Sequence, residues 1–228
     1  SGSGMNQIDA KEVIGQGGFA FPVAESNGKK YYSLQSAVKG AADGATITVL
    51  VDIELTAQDA KPILKPTYNR EAYAGLIIPD DKTLTLDLNG KTLSYVDEYY
   101  ECDNNMIINL GNLTINDTVG GGKITYKPVA GSSTYSKFYS TIFNCGTLTI
   151  NAGTIENTAE AETDVSNAVE NHSRLSHEYG NDCILTVNGG ELIGAYYYAI
   201  RQYTHFLEGV QNRVTINDGT IAGGVYMQ

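Results

Sequence analysis

One motif recurs along this chain, and a recurring motif of this kind restricts it to a stack of like units. Leu84-Thr85-Leu86-Asp87-Leu88-Asn89-Gly90 has relatives at Leu113-Thr114-Ile115-Asn116-Asp117, Leu148-Thr149-Ile150-Asn151-Ala152-Gly153, Leu185-Thr186-Val187-Asn188-Gly189-Gly190 and Val214-Thr215-Ile216-Asn217-Asp218-Gly219. Their first residues, 84, 113, 148, 185 and 214, stand 29, 35, 37 and 29 apart. Each copy alternates apolar, Thr, apolar, Asn or Asp, which is a strand with one buried face. A second short strand follows at Thr92-Leu93, Lys123-Ile124, Thr154-Ile155, Glu191-Leu192 and Thr220-Ile221. A third element precedes the next copy, at Met106–Asn109, Thr141–Asn144, Ala168–Asn171 and Ala199–Gln202, and Val225–Gln228 begins another. Three short strands per unit, repeated at this period, predict an all-β fold. It is a right-handed parallel β-helix in which each coil pairs with the coil above.

Such a stack predicts columns. Asn116, Asn151, Asn188 and Asn217 should lie above one another, with Asp87 at the same level. Asn109, Asn144, Asn171 and Gln202 should form a second column at another corner, where Asn tolerates the sharp turn and bonds to the amide above. Thr85, Thr114, Thr149, Thr186 and Thr215 should form an outward row, explained by β-propensity on an exposed face. A flat Thr array suggests ice binding when a second column matches the first, and the sequence offers one column.

At the N-terminal end, Leu34, Ala37, Val38 and Ala41 have helical spacing, with Ser33 as N-cap and Gly44 as stop. This short helix should cover the end of the solenoid, where a bare strand edge invites aggregation. Thr46–Val51 then reads as the first strand. Ser1–Gly4 read as a cloning scar, residues 5–30 as a lead-in, and 31–228 as a single β-helix domain. Val225–Gln228 begins a coil without a polar cap, so the domain reads as truncated from a longer solenoid.

A formal charge of −11 argues against nucleic acid, whose phosphates require a basic face. No apolar run is long enough to span a membrane. The three cysteines, Cys102, Cys145 and Cys183, match no zinc motif and read as small buried residues, with room for at most one disulfide. No secretion signal is evident, which fits an excerpt of a longer secreted chain or a protein that needs none.

Tyr31–Val38, Gly44–Leu50 and Lys82-Thr83-Leu84-Thr85-Leu86-Asp87-Leu88-Asn89-Gly90-Lys91-Thr92-Leu93 together resemble the opening of pectate-lyase-like β-helix modules found in large bacterial surface proteins. The resemblance runs from about Tyr31 onward. It implies the fold and an extracellular or cell-surface location as part of a longer chain. It does not choose among lyases, hydrolases, phage tail spikes and adhesin stalks. Its lyases use calcium held by clustered acids and an Arg base, and their motifs are absent here, so no catalytic residue is carried over.

Among the residues themselves, Glu170 and Arg201 occupy matching positions on adjacent coils and should face each other. A cross-strand ion pair, weak at a surface, is the ordinary reading. Asp97, Glu98, Glu101 and Asp103, and Glu160, Glu162 and Asp164, are acidic loops without a calcium motif, so no cofactor or metal is assigned. His172, His177 and His205 form no metal set. Ser173, His177 and Asp182 fall on an insertion and are discounted as a triad.

The aromatic residues are more informative, because consecutive strand residues cannot all point inward. Tyr196, Tyr197, Tyr198, Arg201, Tyr203 and His205 are the candidate ligand-binding residues, suited to stacking on sugar faces or to a protein hot spot. The longest spacers, Tyr126–Ser140, Thr158–Asn167 and Ser173–Asp182, should emerge on one binding face. The expected function is a non-enzymatic, adhesin-like surface module with a glycan or a host or bacterial surface protein as partner. A carbohydrate-active enzyme fragment and a phage tail-spike segment are the alternatives.

Overall fold

A computed structural model describes residues 21–56, 63–65, 70–96, 103–128, 138–159, 165–173, 182–204 and 209–228. In chain order the first strands are β1 (Ala24–Ser26), β2 (Lys29–Tyr31), β3 (Thr46–Val49), β4 (Ile53–Thr56), β5 (Ile63–Lys65) and β6 (Arg70–Ile78), with helix α1 (Leu34–Gly40) between β2 and β3. Then come β7 (Thr83–Asp87), β8 (Thr92–Val96), β9 (Asp103–Asn109), β10 (Asn112–Asn116), β11 (Lys123–Tyr126) and β12 (Phe138–Asn144). The chain finishes with β13 (Thr147–Ile150), β14 (Thr154–Asn157), β15 (Val165–His172), β16 (Cys183–Val187), β17 (Glu191–Tyr203), β18 (Asn212–Ile216) and β19 (Thr220–Met227).

These elements form a parallel β-solenoid with three faces. β3, β7, β10, β13, β16 and β18 pair in succession as the first face. β4, β8, β11 and β14, followed by the starts of β17 and β19, make the second. β6, β9, β12 and β15, followed by the ends of β17 and β19, make the third. Register is strict: Leu84, Leu113, Leu148, Leu185 and Val214 stack as one column, and Leu86, Ile115, Ile150, Val187 and Ile216 as the next. Leu93, Ile124, Ile155 and Leu192 line the second face, and Leu76, Ile107, Ile142, Val169 and Ile200 the third. All of these are buried except Val214 and Ile216, which lie in the last coil. The pattern of period two puts these side chains inside, and like-on-like stacking makes them one continuous core.

Both predicted amide columns are present. Asn109 Nδ2 donates to Asn144 Oδ1 (2.7 Å), Asn144 Nδ2 to Asn171 Oδ1 (2.7 Å), and Asn171 Nδ2 to Gln202 Oε1 (2.8 Å). On the outside, Asn151 Nδ2 donates to Asn116 Oδ1 (2.8 Å), Asn188 to Asn151 (2.9 Å) and Asn217 to Asn188 (2.8 Å). Asp87 sits level with Asn116 and ends the outer column by accepting from the backbone N–H groups of Asn89 and Thr118. The Thr row is likewise in register. Its neighbouring outward column is Thr83, Asn112, Thr147, Ile184 and Arg213, so no second Thr column stands beside it.

The corner after the first face turns on glycine. Gly153, Gly190 and Gly219 have φ of 90°, 81° and 108°, and an added Cβ at Gly190 would lie 2.5 Å from the Gly153 carbonyl oxygen. Coils this close admit only a residue without a side chain at that corner. Acidic residues serve other turns: Asp43, Asp52 and Asp182 accept from the backbone N–H groups of Thr83, Thr92 and Gln211 at 2.6, 2.8 and 2.9 Å. Part of the acid excess is therefore engaged in holding successive coils.

The N-terminal end is closed as expected, with two differences. Ser33 caps α1 by accepting from Ser36 N, and Leu34, Ala37, Val38 and Ala41 are buried. The helix stops at Gly40, not Gly44; Gly44 instead makes the positive-φ turn (74°) into β3. Gln35 clasps the backbone of Ile77 on β6, donating to its carbonyl (3.0 Å) and accepting from its N–H (2.9 Å). The lead-in also contributes a hairpin, β1–β2, and β1 pairs antiparallel with β3, which closes the first face. Asn27 and Gly28, both at positive φ (50° and 76°), form its two-residue turn. No helix among the described residues is long and apolar enough to cross a membrane.

Candidate functional site

The outer surface of the third face holds the residues with the most chemistry. Ile77, Ile108, Phe143, Glu170, Arg201 and Tyr226 stack there in one column across successive coils. The upper part is apolar: Ala74, Ile108, Leu110, Phe143 and Cys145 form a small second core outside the solenoid wall, with Ile77 packed against it. The lower part is polar and aromatic, so the character of the column changes between Phe143 and Glu170.

Glu170 and Arg201 face each other as the sequence requires, with Arg201 Nη1 donating to Glu170 Oε1 at 3.0 Å. The pair is not the weak surface contact expected, because the side chains are only 2% and 12% exposed. Ser140 Oγ donates to Glu170 Oε2 (3.0 Å), as does Asn167 Nδ2 (3.4 Å). Asn105 Oδ1 in turn accepts from Ser140 N (3.2 Å). A buried carboxylate held by three donors on three coils is a fixed anchor, and the attraction is stronger here than in water. Its effect is to hold the Arg201 guanidinium in one place, with its Cζ 5.3 Å from the centre of the Tyr203 ring.

The aromatic residues come together, but mostly against one another. His172 stacks on Tyr203 (centroids 4.6 Å apart, 15° between planes), and Phe143 lies 5.3 Å above His172. Tyr198 stacks on Tyr226 at 5.1 Å. His172 and Tyr203 are in register on adjacent coils, which brings their ring faces together, whereas Tyr226 is in register with Arg201 and reaches Tyr198 diagonally. Stacked ring faces are unavailable to a sugar. Tyr196 differs. Only Ala195, Tyr196 and Tyr197 separate Gly194, on the second face, from Tyr198, on the third. The register against β19 shifts at this point, and Tyr196 projects at the corner, 47% exposed. The side chain of Tyr197 and all of His205 lie outside the described residues.

Other sequence candidates separate. The Tyr126–Ser140 and Thr158–Asn167 spacers both link the second face to the third, whereas Ser173–Asp182 links the third to the first, so the three leave from two corners. Ser173 Oγ donates to the Tyr203 carbonyl (3.4 Å), Asp182 Oδ1 accepts from the backbone N–H of Gln211, and His177 lies outside the described residues. Asp97, Glu98, Glu101, Glu160, Glu162, Asp164 and Cys102 also fall outside them, as does the side chain of Asp103. Among the described residues no cluster of His, Cys, Asp and Glu could hold a metal ion.

Cys145 and Cys183 are buried thiols that are not joined in a disulfide. Cys183 belongs to the inner amide column: its thiol donates to Asn144 O (3.3 Å) and Asn171 Oδ1 (3.2 Å). Burial pushes this thiol far above its ordinary range. It is held protonated as a donor, which marks a structural rather than a nucleophilic cysteine. No protein-family model matches the chain, and comparisons with curated proteins and with solved structures likewise found no match.

Proposed function

We propose that this chain is a non-enzymatic, adhesin-like binding module of an extracellular surface protein, and that it presents the β17 corner to a glycan. The observation that carries the reading is Tyr196, an exposed aromatic ring on a corner whose neighbours are immobilised. Tyr198 is held by Tyr226, and Arg201 and Tyr203 by Glu170 and His172. A ring projecting from a rigid frame loses little entropy when it stacks on a sugar face. Ser140, Glu170 and Arg201 are occupied in holding coil to coil, which suits a scaffold. The resemblance of Tyr31–Val38 and Lys82–Leu93 to pectate-lyase-like surface modules supports the extracellular setting, and the charge of −11 is compatible with it.

The test is binding of the labelled protein to a broad glycan array, with and without calcium. Reproducible binding to one sugar class, weakened at least about tenfold by Tyr196→Ala with an unchanged melting temperature, supports the reading. A blank array from folded protein removes the glycan. Cleavage products from a bound polysaccharide would remove the non-enzymatic part.

A further inference from the structure

Charge is divided unevenly along the solenoid. Residues 1–139 contain sixteen acids against twelve lysines and arginines, a net charge of −4. Residues 140–228 contain ten acids, three arginines and no lysine, a net charge of −7. The β17 corner belongs to this second part. The strands that frame the corner share the bias: β14, β15, β17 and β19 contain Glu156, Glu170 and Glu191 against one Lys or Arg, which is Arg201. Glu156 is met by Lys123 of β11 at 3.3 Å, and Glu191 has no ion-pair partner among the described residues. The segment that joins β14 to β15 adds Glu160, Glu162 and Asp164 to the sequence, with no basic residue.

We propose that the saccharide taken by the β17 corner is one without carboxylate or sulfate groups, because the corner already contains its own anion. This rests on the proposed glycan binding at Tyr196 and names the class of sugar that the corner accepts. Recognition of a carboxylate or sulfate takes a charge-assisted donor, best supplied by the planar fork of an arginine. Arg201 is the residue on these strands that could supply it. Its Nη1 is given to Glu170 Oε1 at 3.0 Å, and its guanidinium lies by the Tyr203 ring. Ser140 Oγ and Asn167 Nδ2 hold the other oxygen of Glu170, whose side chain is 2% exposed. A ligand carboxylate would have to displace Glu170 and leave it enclosed without its counter-charge, which is costly. A neutral pyranose asks nothing of Arg201. Its face stacks on Tyr196 and its hydroxyls remain in water.

The surrounding field acts in the same direction. Successive coils stand ~4.8 Å apart, and charges are felt over about 8 Å at physiological salt. Acids on the coil of β17 and on the next one therefore repel an anionic ligand at Tyr196. The segment joining β11 to β12 contains the basic Lys127 and Lys137, but it belongs to a coil two away from β17. At that separation, about 10 Å, most of its attraction is screened.

The experiment measures the full chain against matched pairs of sugars. The pairs are an oligogalactoside with an oligogalacturonate, a cello-oligosaccharide with its form oxidised at the primary hydroxyls, and each neutral sugar with its sulfated form. The neutral member should bind at least about fivefold more tightly at low salt. The gap should narrow towards about 1 M salt, where screening shortens to about 3 Å. Tyr196→Ala should weaken the bound member of each pair. Glu170→Gln releases Arg201 and should narrow the gap by improving the acidic member. If E170Q does not fold, the salt dependence of the unaltered chain decides. Equal or tighter binding of the acidic members, lost on Tyr196→Ala, overturns this proposal and keeps the glycan-binding one. A blank on every pair removes both. An unchanged gap in a natively folded Glu170→Gln protein overturns the part assigned to Glu170.

Discussion

The inner column of Asn109, Asn144, Asn171 and Gln202 and the outer column of Asn116, Asn151, Asn188 and Asn217 use the same amide chemistry at the same coil-to-coil spacing. Their surroundings differ. The inner amides are 0–3% exposed, and Asn144 and Asn171 also donate to backbone carbonyls at the corner, including Gly146 O, Ile184 O and Cys183 O. Asn151, Asn188 and Asn217 are exposed, and water can replace each of their partners. A hydrogen bond is worth little net where water competes, while an unmade one is expensive where water is excluded. The inner column should therefore fix the coils energetically, and the outer one should mainly keep their edges regular.

The sharpest way to break this comparison is at Asn144. Asn144→Ala removes a link to both neighbouring coils and should cost about 3–5 kcal/mol in urea unfolding, because buried partners are stranded. A cost near that of an outer-column change would show that burial is not the deciding variable.

Glu170 extends the comparison to a charged contact that lies outside the wall and is nevertheless enclosed. Glu170→Gln should cost about 3 kcal/mol by leaving the Arg201 charge uncompensated. Adding Arg201→Gln should restore part of it, and a double-mutant cycle measures that coupling.

Cys183 reports on the inner column through pH. The folded chain keeps the proton that an unfolded thiol releases above its ordinary value of 9.0, so stability should fall as pH rises beyond that point. The slope from this one group is about 1.4 kcal/mol per pH unit, and Cys183→Ala should remove it. Titration of unfolding from pH 8 upward reads the effect. Asn188→Ala, in the exposed column, should change stability by about 0.5–1 kcal/mol at most.

Much of this architecture is written at the period of the repeat. Leu-Thr-Ile-Asn fixes which side chains point in, and its recurrence fixes what lies above what, so the faces, both amide columns and the pairing of Glu170 with Arg201 could be read before any coordinates. Burial outside the wall could not. Whether Glu170 is wet or enclosed depends on what covers the third face, and period carries no information about that. The aromatic cluster illustrates the same limit. Alternation shows that Tyr196 to Tyr203 cannot all be internal, yet it does not show that His172 and Tyr226 from adjacent coils would take up the ring faces of Tyr203 and Tyr198. The β1–β2 hairpin was legible in Asn27-Gly28, the strongest short turn signal, and was hidden by treating residues 5–30 as a lead-in.

The register of the coils also has a mechanical meaning. Each coil holds only to its neighbours, so a pull on the C-terminal end loads one coil's bonds at a time and detaches it before the next is stressed. Repeats of 29–37 residues, at ~3.3–3.6 Å per extended residue, would release contour in steps of about 100–130 Å. Held by its two ends, such a module behaves as an extensible tether that yields stepwise under load.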